Sequence, residues 1–327
     1  LSSRDSYIRH AHYIERYKTG EFNKLKPFFL RIERMLKDEL LVSNSFRSQK
    51  RIKLKLKAIN NAIDTIFTEW TNEFLKEADF FLESEAVFGK GVINSVNKSF
   101  NALAPTLTRM RIAAYSRPFN NRLLKDALKD FTKKHAKFIR DSVSMGFFEG
   151  ASNSEIVNRI IGSNRLGKKD GLMQLTRNDA SRLVRTSLSH LSSVAKDEIY
   201  RANPDIVTGY EWVSVLDGRT STVCQGLSGQ IFETGKGKMP PVHPNCRSTT
   251  AAVIMGEVVE GYDNYNNWLK KQPVSFQKDA LGDKRYQLWK DGGLTLDKFI
   301  DRKASPLNLE QLKKKYPAAW GKTDPED

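Results

Sequence analysis

The sequence predicts a mainly α protein with a small β-sheet (α+β). A long helical N-terminal arm or bundle precedes a compact α+β domain, and a helical C-terminal segment follows. Three observations carry this expectation. Apolar residues recur at helical spacing through the first 148 positions. After Pro204 the period changes to two. Beyond Gly261 short helical patterns resume, the last of them strongly capped.

Residues 5–42, 46–84, 86–115 and 119–148 read as helices, with breaks expected at Gly20, Pro27, the NSFRS stretch, the Gly89–Gly91 pair, Pro105 and Pro118. From Ile52 through Leu56, Ile59, Ile63, Ile66, Phe67, Trp70 and Phe74 one apolar face is continuous. The alternation RIKLKLK at residues 51–57 joins that register in phase. Arg51, Lys53, Lys55 and Lys57 therefore belong to a charged helix surface, which is either solvated or a phosphate-binding stripe. Lys133, Lys134 and Lys137 form a second candidate nucleic-acid contact, while His10, His12 and His135, scattered at helical positions, are expected at the surface.

Ser152 and Glu155 spell a capping box for a short helix ending near Gly162, which sets a boundary near residue 150. Thr176 and Asp179 offer a second box to a helix that runs to about Ala202, with Ala180, Leu183, Val184, Leu188, Leu191, Val194, Ala195 and Ile199 as its buried stripe. Arg182, Arg185 and His190 fall off that stripe, exposed or free to hold the next segment. IVTGYEWVSVLD, GQIF and STTAAVIM are the strand candidates. Five short helices are expected after Gly261. Asn308 and Gln311 cap the last, Leu307 and Leu312 staple it, and the tail beyond Pro317 is expected to be loose. The expected division is thus 1–149 helical and basic, 150–256 α+β, and 257–327 short helices.

Composition narrows the classes. No run approaches the roughly 18 apolar residues of a membrane span, so no membrane span and a soluble chain are expected, and the start is not signal-like. Two cysteines among 327 residues exclude a disulfide scaffold and suit a reducing compartment. The net charge of +16 is concentrated in residues 1–150, where 28 Lys/Arg face 17 Asp/Glu. Such an excess suits nucleic acid, an acidic protein surface or anionic lipid. Neither a glycine-rich phosphate loop nor paired catalytic carboxylates nor a histidine–glutamate metal motif accompanies it in the first half.

The chemistry gathers in DGRTSTVCQGLSGQIFETGKGKMPPVHPNCR, from Asp217 to Arg247. Cys224, His243 and Cys246 form a C-x18-H-x2-C pattern of soft or borderline ligands. Three states fit it: a zinc site, for which only Asp217 or a remote residue offers a fourth ligand; a Cys224–Cys246 contact or disulfide; and two reduced core cysteines. Nucleophilic catalysis by Cys224 or Cys246, with His243 as base and Asp217 as orienter, has little support from the spacing. His243, between prolines, suits a rigid turn in which the imidazole bonds the backbone, and Asp217 with Arg219 suits a turn-stabilising pair. No cofactor and no enzyme activity are expected.

The run YEWVSVLDGRTSTVCQGLSGQIF…MPPVHPNCRSTT resembles the signature of the Mu F-like family of phage minor head, or head morphogenesis, proteins. The positions that carry it are Trp212, Asp217, Arg219, Thr220, Cys224, Leu227, Gly229, Phe232, Pro240, Pro241, His243, Pro244, Cys246 and Arg247. The helix bearing LVRTSLSHLSSVA and the tail from NYNNWLKKQ to NLEQLKKKY extend the likeness over about residues 150–316. Members often carry cysteines where Ser221 and Ser248 stand here, which weakens a thiolate zinc site and implies that Cys224 and Cys246 are the remaining pair. The resemblance implies a minor capsid protein in the virion, made in the host cytoplasm. It would be oligomeric there, associated with portal and other capsid proteins and with packaged double-stranded DNA held without base readout, and could influence DNA delivery. The alternatives are a Cys/His/Asp hydrolase or metalloenzyme and a free sequence-nonspecific DNA-binding protein.

Overall fold

The computed structural model describes residues 2–41, 49–119, 121–257 and 264–323; the expected break at NSFRS lies outside them. The protein is mainly helical with one small antiparallel sheet, as the sequence predicts. Helix α1 spans Ser3–Leu41 and α2 spans Gln49–Val96. Pro27 sits inside α1 without ending it, because the buried face continues in register from Leu25 to Phe29 and Ile32. Gly20 does not break it either. The Gly89–Gly91 pair likewise lies within α2. A Cβ at Gly89 would stand 2.5 Å from the Ile199 side chain, so this glycine serves close helix packing and not chain reversal. RIKLKLK is helical, as its phase indicated.

Pro105 and Pro118 do mark breaks. Between and after them lie α3 (Leu107–Ser116) and α4 (Leu124–Phe148). The Ser152–Glu155 capping box opens α5 (Asn153–Ile161), with both reciprocal bonds formed. Helix α6 runs Leu172–Ala202 and begins four residues before the expected cap. Thr176 is consequently an interior residue. Its hydroxyl meets the Leu172 carbonyl oxygen and His135 Nδ1, each at 3.1 Å, while Asp179 accepts from Lys134 at 3.1 Å. From Thr186 to Tyr200 every residue of α6 is buried, so the apolar stripe understated its burial.

His135 corrects the surface expectation. It is 1% exposed, set against Phe131, with Nε2 3.2 Å from Asp179. Burial outweighs the carboxylate and keeps its pKa below the ordinary value. His10 is half-buried, stacked 3.6 Å from the Phe88 ring, and only His12 is exposed.

The sheet has the order β2-β1-β3: β1 is Val207–Val213, β2 Ile231–Glu233 and β3 Thr249–Ile254. Tyr210 pairs with Phe232 on one side and Ala252 on the other, and an irregularity falls between Val207 and Gly209. At Gly209 a Cβ would stand 2.5 Å from the Phe232 carbonyl oxygen, so only glycine fits. The alternation expected through Asp217 ends as a strand at Val213. Helix α7 (Thr222–Leu227) lies between β1 and β2. Then come α8 (Tyr265–Lys270), α9 (Val274–Leu281), α10 (Asp283–Lys290), a 3-10 turn at Leu296–Phe299 and α11 (Leu309–Lys315), whose Asn308–Gln311 box forms. The tail is not wholly loose. Pro317 opens α12 (Pro317–Gly321), and Lys284 Nζ stands 4.6 Å over the Trp320 ring.

The chain forms two compact units. One comprises Leu1–Tyr13, Glu85–Thr106 and Ser193–Asp327; the other comprises Ile14–Ser84 and Leu107–Ser192. The position near residue 150 marked by the capping box falls inside the second. The regular elements among that unit's described residues are helices, and its core gathers Phe29, Phe67, Trp70, Phe74 and Phe131, with Trp70 5.0 Å from Phe131. The first unit holds the sheet, with Tyr7, Tyr200, Tyr210 and Ile254 in its core.

Candidate functional site

Strand β1 delivers the chain into the Asp217–Arg247 segment through Trp212 and Ser214. The Trp212 indole donates to Ser214 Oγ at 3.0 Å, and that hydroxyl donates to the Cys224 carbonyl oxygen at 2.6 Å. A fully buried tryptophan needs such a partner for its N–H. The Trp212 backbone exchanges bonds with Gln230 and Gly229 at 2.8 and 2.9 Å, which folds the helix-bearing loop back onto the strand. Gly229 makes the turn at φ +81°, beside Asn264.

Asp217 is the main polar tie. Both its oxygens accept from the Arg247 guanidinium at 2.6 Å, and Oδ1 also accepts from the Arg219 backbone N–H at 2.9 Å. This forked pairing holds its carboxyl down at about 2, below the usual carboxylate range. Two residues 30 apart in sequence are thereby joined. The Arg219 side chain, by contrast, is 83% exposed and only 3.5 Å from Asp217, so its backbone and not its charge completes the turn. Thr220 donates to the Val215 carbonyl oxygen, and the Tyr265 hydroxyl reaches the Asp217 carbonyl oxygen at 2.8 Å.

Ser221 caps α7, accepting from the Cys224 N–H at 3.3 Å. Cys224 therefore sits in the first turn, facing the HPNC turn. There the Cys246 N–H donates to the His243 carbonyl oxygen at 3.2 Å, with Asn245 at φ +56°, a conformation asparagine tolerates. The Pro240–Pro241 bond just before is cis. His243 Nδ1 donates to the Pro244 carbonyl oxygen at 3.0 Å, the backbone bond expected of it, which leaves Nε2 to meet Ser221 Oγ at 2.9 Å and Cys224 Sγ at 3.2 Å.

The two sulfurs lie 3.8 Å apart and are not joined. Cys224 is 2% and Cys246 1% exposed, packed with Trp212, Leu227 and Ile300. The contact between the sulfurs raises the Cys224 thiol and lowers that of Cys246. His243 is raised through its hydrogen bond with Cys246.

The structure thus assembles Trp212, Asp217, Thr220, Cys224, Gly229, His243, Cys246 and Arg247 in one place, and leaves the Arg219 side chain outside. Sequence reasoning did not pick out Ser214, Gln225 or Tyr265. Gln225 Nε2 donates to the Thr220 carbonyl oxygen at 2.8 Å. Tyr265 had no signal, since its bond crosses 48 positions; Ser214 was in phase with Trp212 but looked like an ordinary strand residue.

Residues 137–251 match the family model described as phage Mu protein F like protein. The Mu F-like segment begins in α4 and ends in β3, so it includes the whole Trp212–Arg247 stretch and part of each compact unit. No curated protein and no solved structure matches the chain.

The basic candidates lie in the helical unit and differ among themselves. Lys55 is engaged by Glu39, Lys134 by Asp179 and Lys137 by Asp141, which leaves less of their charge for a partner. Among the described residues Lys53, Lys57 and Lys133 are exposed without an ion pair, while Arg51 has an interaction of its own. Lys133 also borders a groove of about 590 Å³ between α2 and α4, with Lys125, Lys129, Thr68 and Thr71. No described helix is long and apolar enough to cross a membrane.

Proposed function

We propose that this chain is a minor head-morphogenesis protein of a tailed phage, carried in the virion and associated with portal and other capsid proteins. The observation that carries the reading is the Mu F-like match together with the use to which its polar residues are put. Asp217, Arg247, His243 and Ser221 bond one another or nearby backbone, which is what holding a long loop against a sheet requires. Both thiols are buried, whereas a nucleophile must reach its substrate. The segment therefore serves as a framework and not as a thiol hydrolase.

The helical half supplies the charge. Lys125, Lys129 and Lys133 stand four residues apart on α4 beside hydroxyls of α2, a spacing suited to successive phosphates. The partner there is packaged DNA, bound without base readout.

Quantitative mass spectrometry of purified heads tests the assignment; the chain should be present in a few copies and co-purify with the portal. Absence from heads overturns it. DNA binding has its own test. Affinity should weaken with salt, and replacing Lys125, Lys129 and Lys133 by alanine should reduce the log–log slope by about 0.9 for each phosphate no longer neutralised. Failure to bind at low ionic strength would mean that this face serves a protein partner.

A further inference from the structure

We propose that Cys224, His243 and Cys246 bind one zinc ion through two thiolates and one imidazole, with the fourth vertex at the Ser221 hydroxyl side. Four observations converge on it, none of which depends on the head-protein reading.

The first is geometry. All three donor atoms lie within 4.8 Å of one another. With Zn–S of about 2.3 Å and Zn–N of about 2.0–2.1 Å, tetrahedral angles put two thiolates about 3.8 Å apart and a thiolate and imidazole about 3.5 Å apart. The observed separations are 3.8 Å between the sulfurs and 3.2 Å from Cys224 Sγ to His243 Nε2. Both separations lie within a few tenths of an ångström of those values, and His243 and Cys246 are within 4.8 Å of each other.

The second is the orientation of the imidazole. Nδ1 is committed to the Pro244 carbonyl oxygen, so the neutral ring carries its lone pair on Nε2, aimed at the sulfurs. A metal-ligating histidine needs this outer bond, and here the HPNC turn provides it.

The third is the fourth direction. Ser221 Oγ is 2.9 Å from Nε2 and is fixed by the Cys224 N–H, so an oxygen already faces the ion position. The fourth is the surrounding shell. Trp212, Leu227 and Ile300 enclose the sulfurs, which favours a neutral complex of Zn²⁺ with two thiolates over separated charges.

Binding would release the thiol protons to solvent, leaving zinc as Zn²⁺ with no change of oxidation state. A donor set of two thiolates and one imidazole suits a borderline-soft tetrahedral ion and not magnesium or calcium. The ion would link the first turn of α7 to the HPNC turn, the two ends of a loop that otherwise depends on hydrogen bonds.

The test uses the full chain, purified under reducing conditions from zinc-supplemented medium. Elemental analysis should find about one zinc per chain, and exchange with Co²⁺ should give a thiolate charge-transfer band and intense tetrahedral d–d bands. C246S and H243Q should lose both signals. If either variant fails to fold, S221C decides the matter: it adds a third thiolate and should bind zinc more tightly in competition with a chelating dye. Wild-type protein free of zinc and without cobalt bands overturns the proposal. So does a Cys224–Cys246 disulfide in the freshly purified chain, metal retained in both C246S and H243Q, or an S221C affinity no higher than wild type.

Discussion

In the helical unit Trp70 stands 5.0 Å from Phe131 and 6.2 Å from Phe29. The Asp217–Arg247 loop is instead tied by contacts between an acid and a guanidinium, a hydroxyl and an imidazole, and two thiols. Both regions are ordered, but by different physics. Apolar burial is non-directional, so many residues share the work in the helical unit. Hydrogen bonds and ion pairs are directional, so in the loop each partner fixes one specific closure.

The largest effect that tests this difference is in the aromatic core. Trp70→Ala should cost about 3–5 kcal/mol in urea unfolding. A decrease below about 1 kcal/mol would show that the helical unit does not depend on its ring cluster.

Acid should then separate the regions. His190, 4% exposed on α6, stacks on Phe119 and donates to the Ala114 carbonyl oxygen, and burial lowers it to about 4. The folded pKa lies below the unfolded value, so its contribution is fully present above about pH 6.5 and declines as pH falls toward 4. The shift corresponds to about 3 kcal/mol across that window, which chemical denaturation at stepped pH would reveal. H190Q should flatten the profile there; an unchanged profile would remove His190 as its source.

Asp217 acts at lower pH. Its folded pKa of about 2 lies below the ordinary 3.8, so its stabilisation is present above about pH 4 and is lost as pH falls through 2. D217N or R247A should cost about 1–2 kcal/mol at neutral pH after allowance for partial solvent exposure. D217N should also lose the pH dependence between about 4 and 2. A double-mutant cycle giving no coupling would mean that the loop is held by its backbone bonds alone. Ser152→Ala, which removes a local cap of α5, should cost only about 1 kcal/mol.

Much of this was readable before folding. Ile59, Ile63, Ile66, Trp70 and Phe74 announced their buried face, Ser152–Glu155 and Asn308–Gln311 their caps, and β1 its alternation. The signature residues were legible as a group, although what each bonds was not. Glycine at 89 looked like a helix breaker because its partner, Ile199, is 110 positions away. His135 looked exposed because Thr176 and Asp179 come from another helix, and Thr176 looked like a cap because its hydroxyl suits either role.

The sequence by itself determined the elements that obey local rules: 3.6- and 2-residue periods, capping boxes, and the excess of positive charge in the first half. These depend on neighbours within a turn or two, so the chain states them directly. Tertiary structure decided which residues meet across long separations. It joined Asp217 to Arg247 across 30 positions as well as to the neighbouring Arg219, buried α6 from Thr186 to Tyr200, and drew the ligand atoms of Cys224, His243 and Cys246 within 4.8 Å of one another. Those outcomes depend on loop closure and on the direction of side chains, which spacing along the chain does not encode.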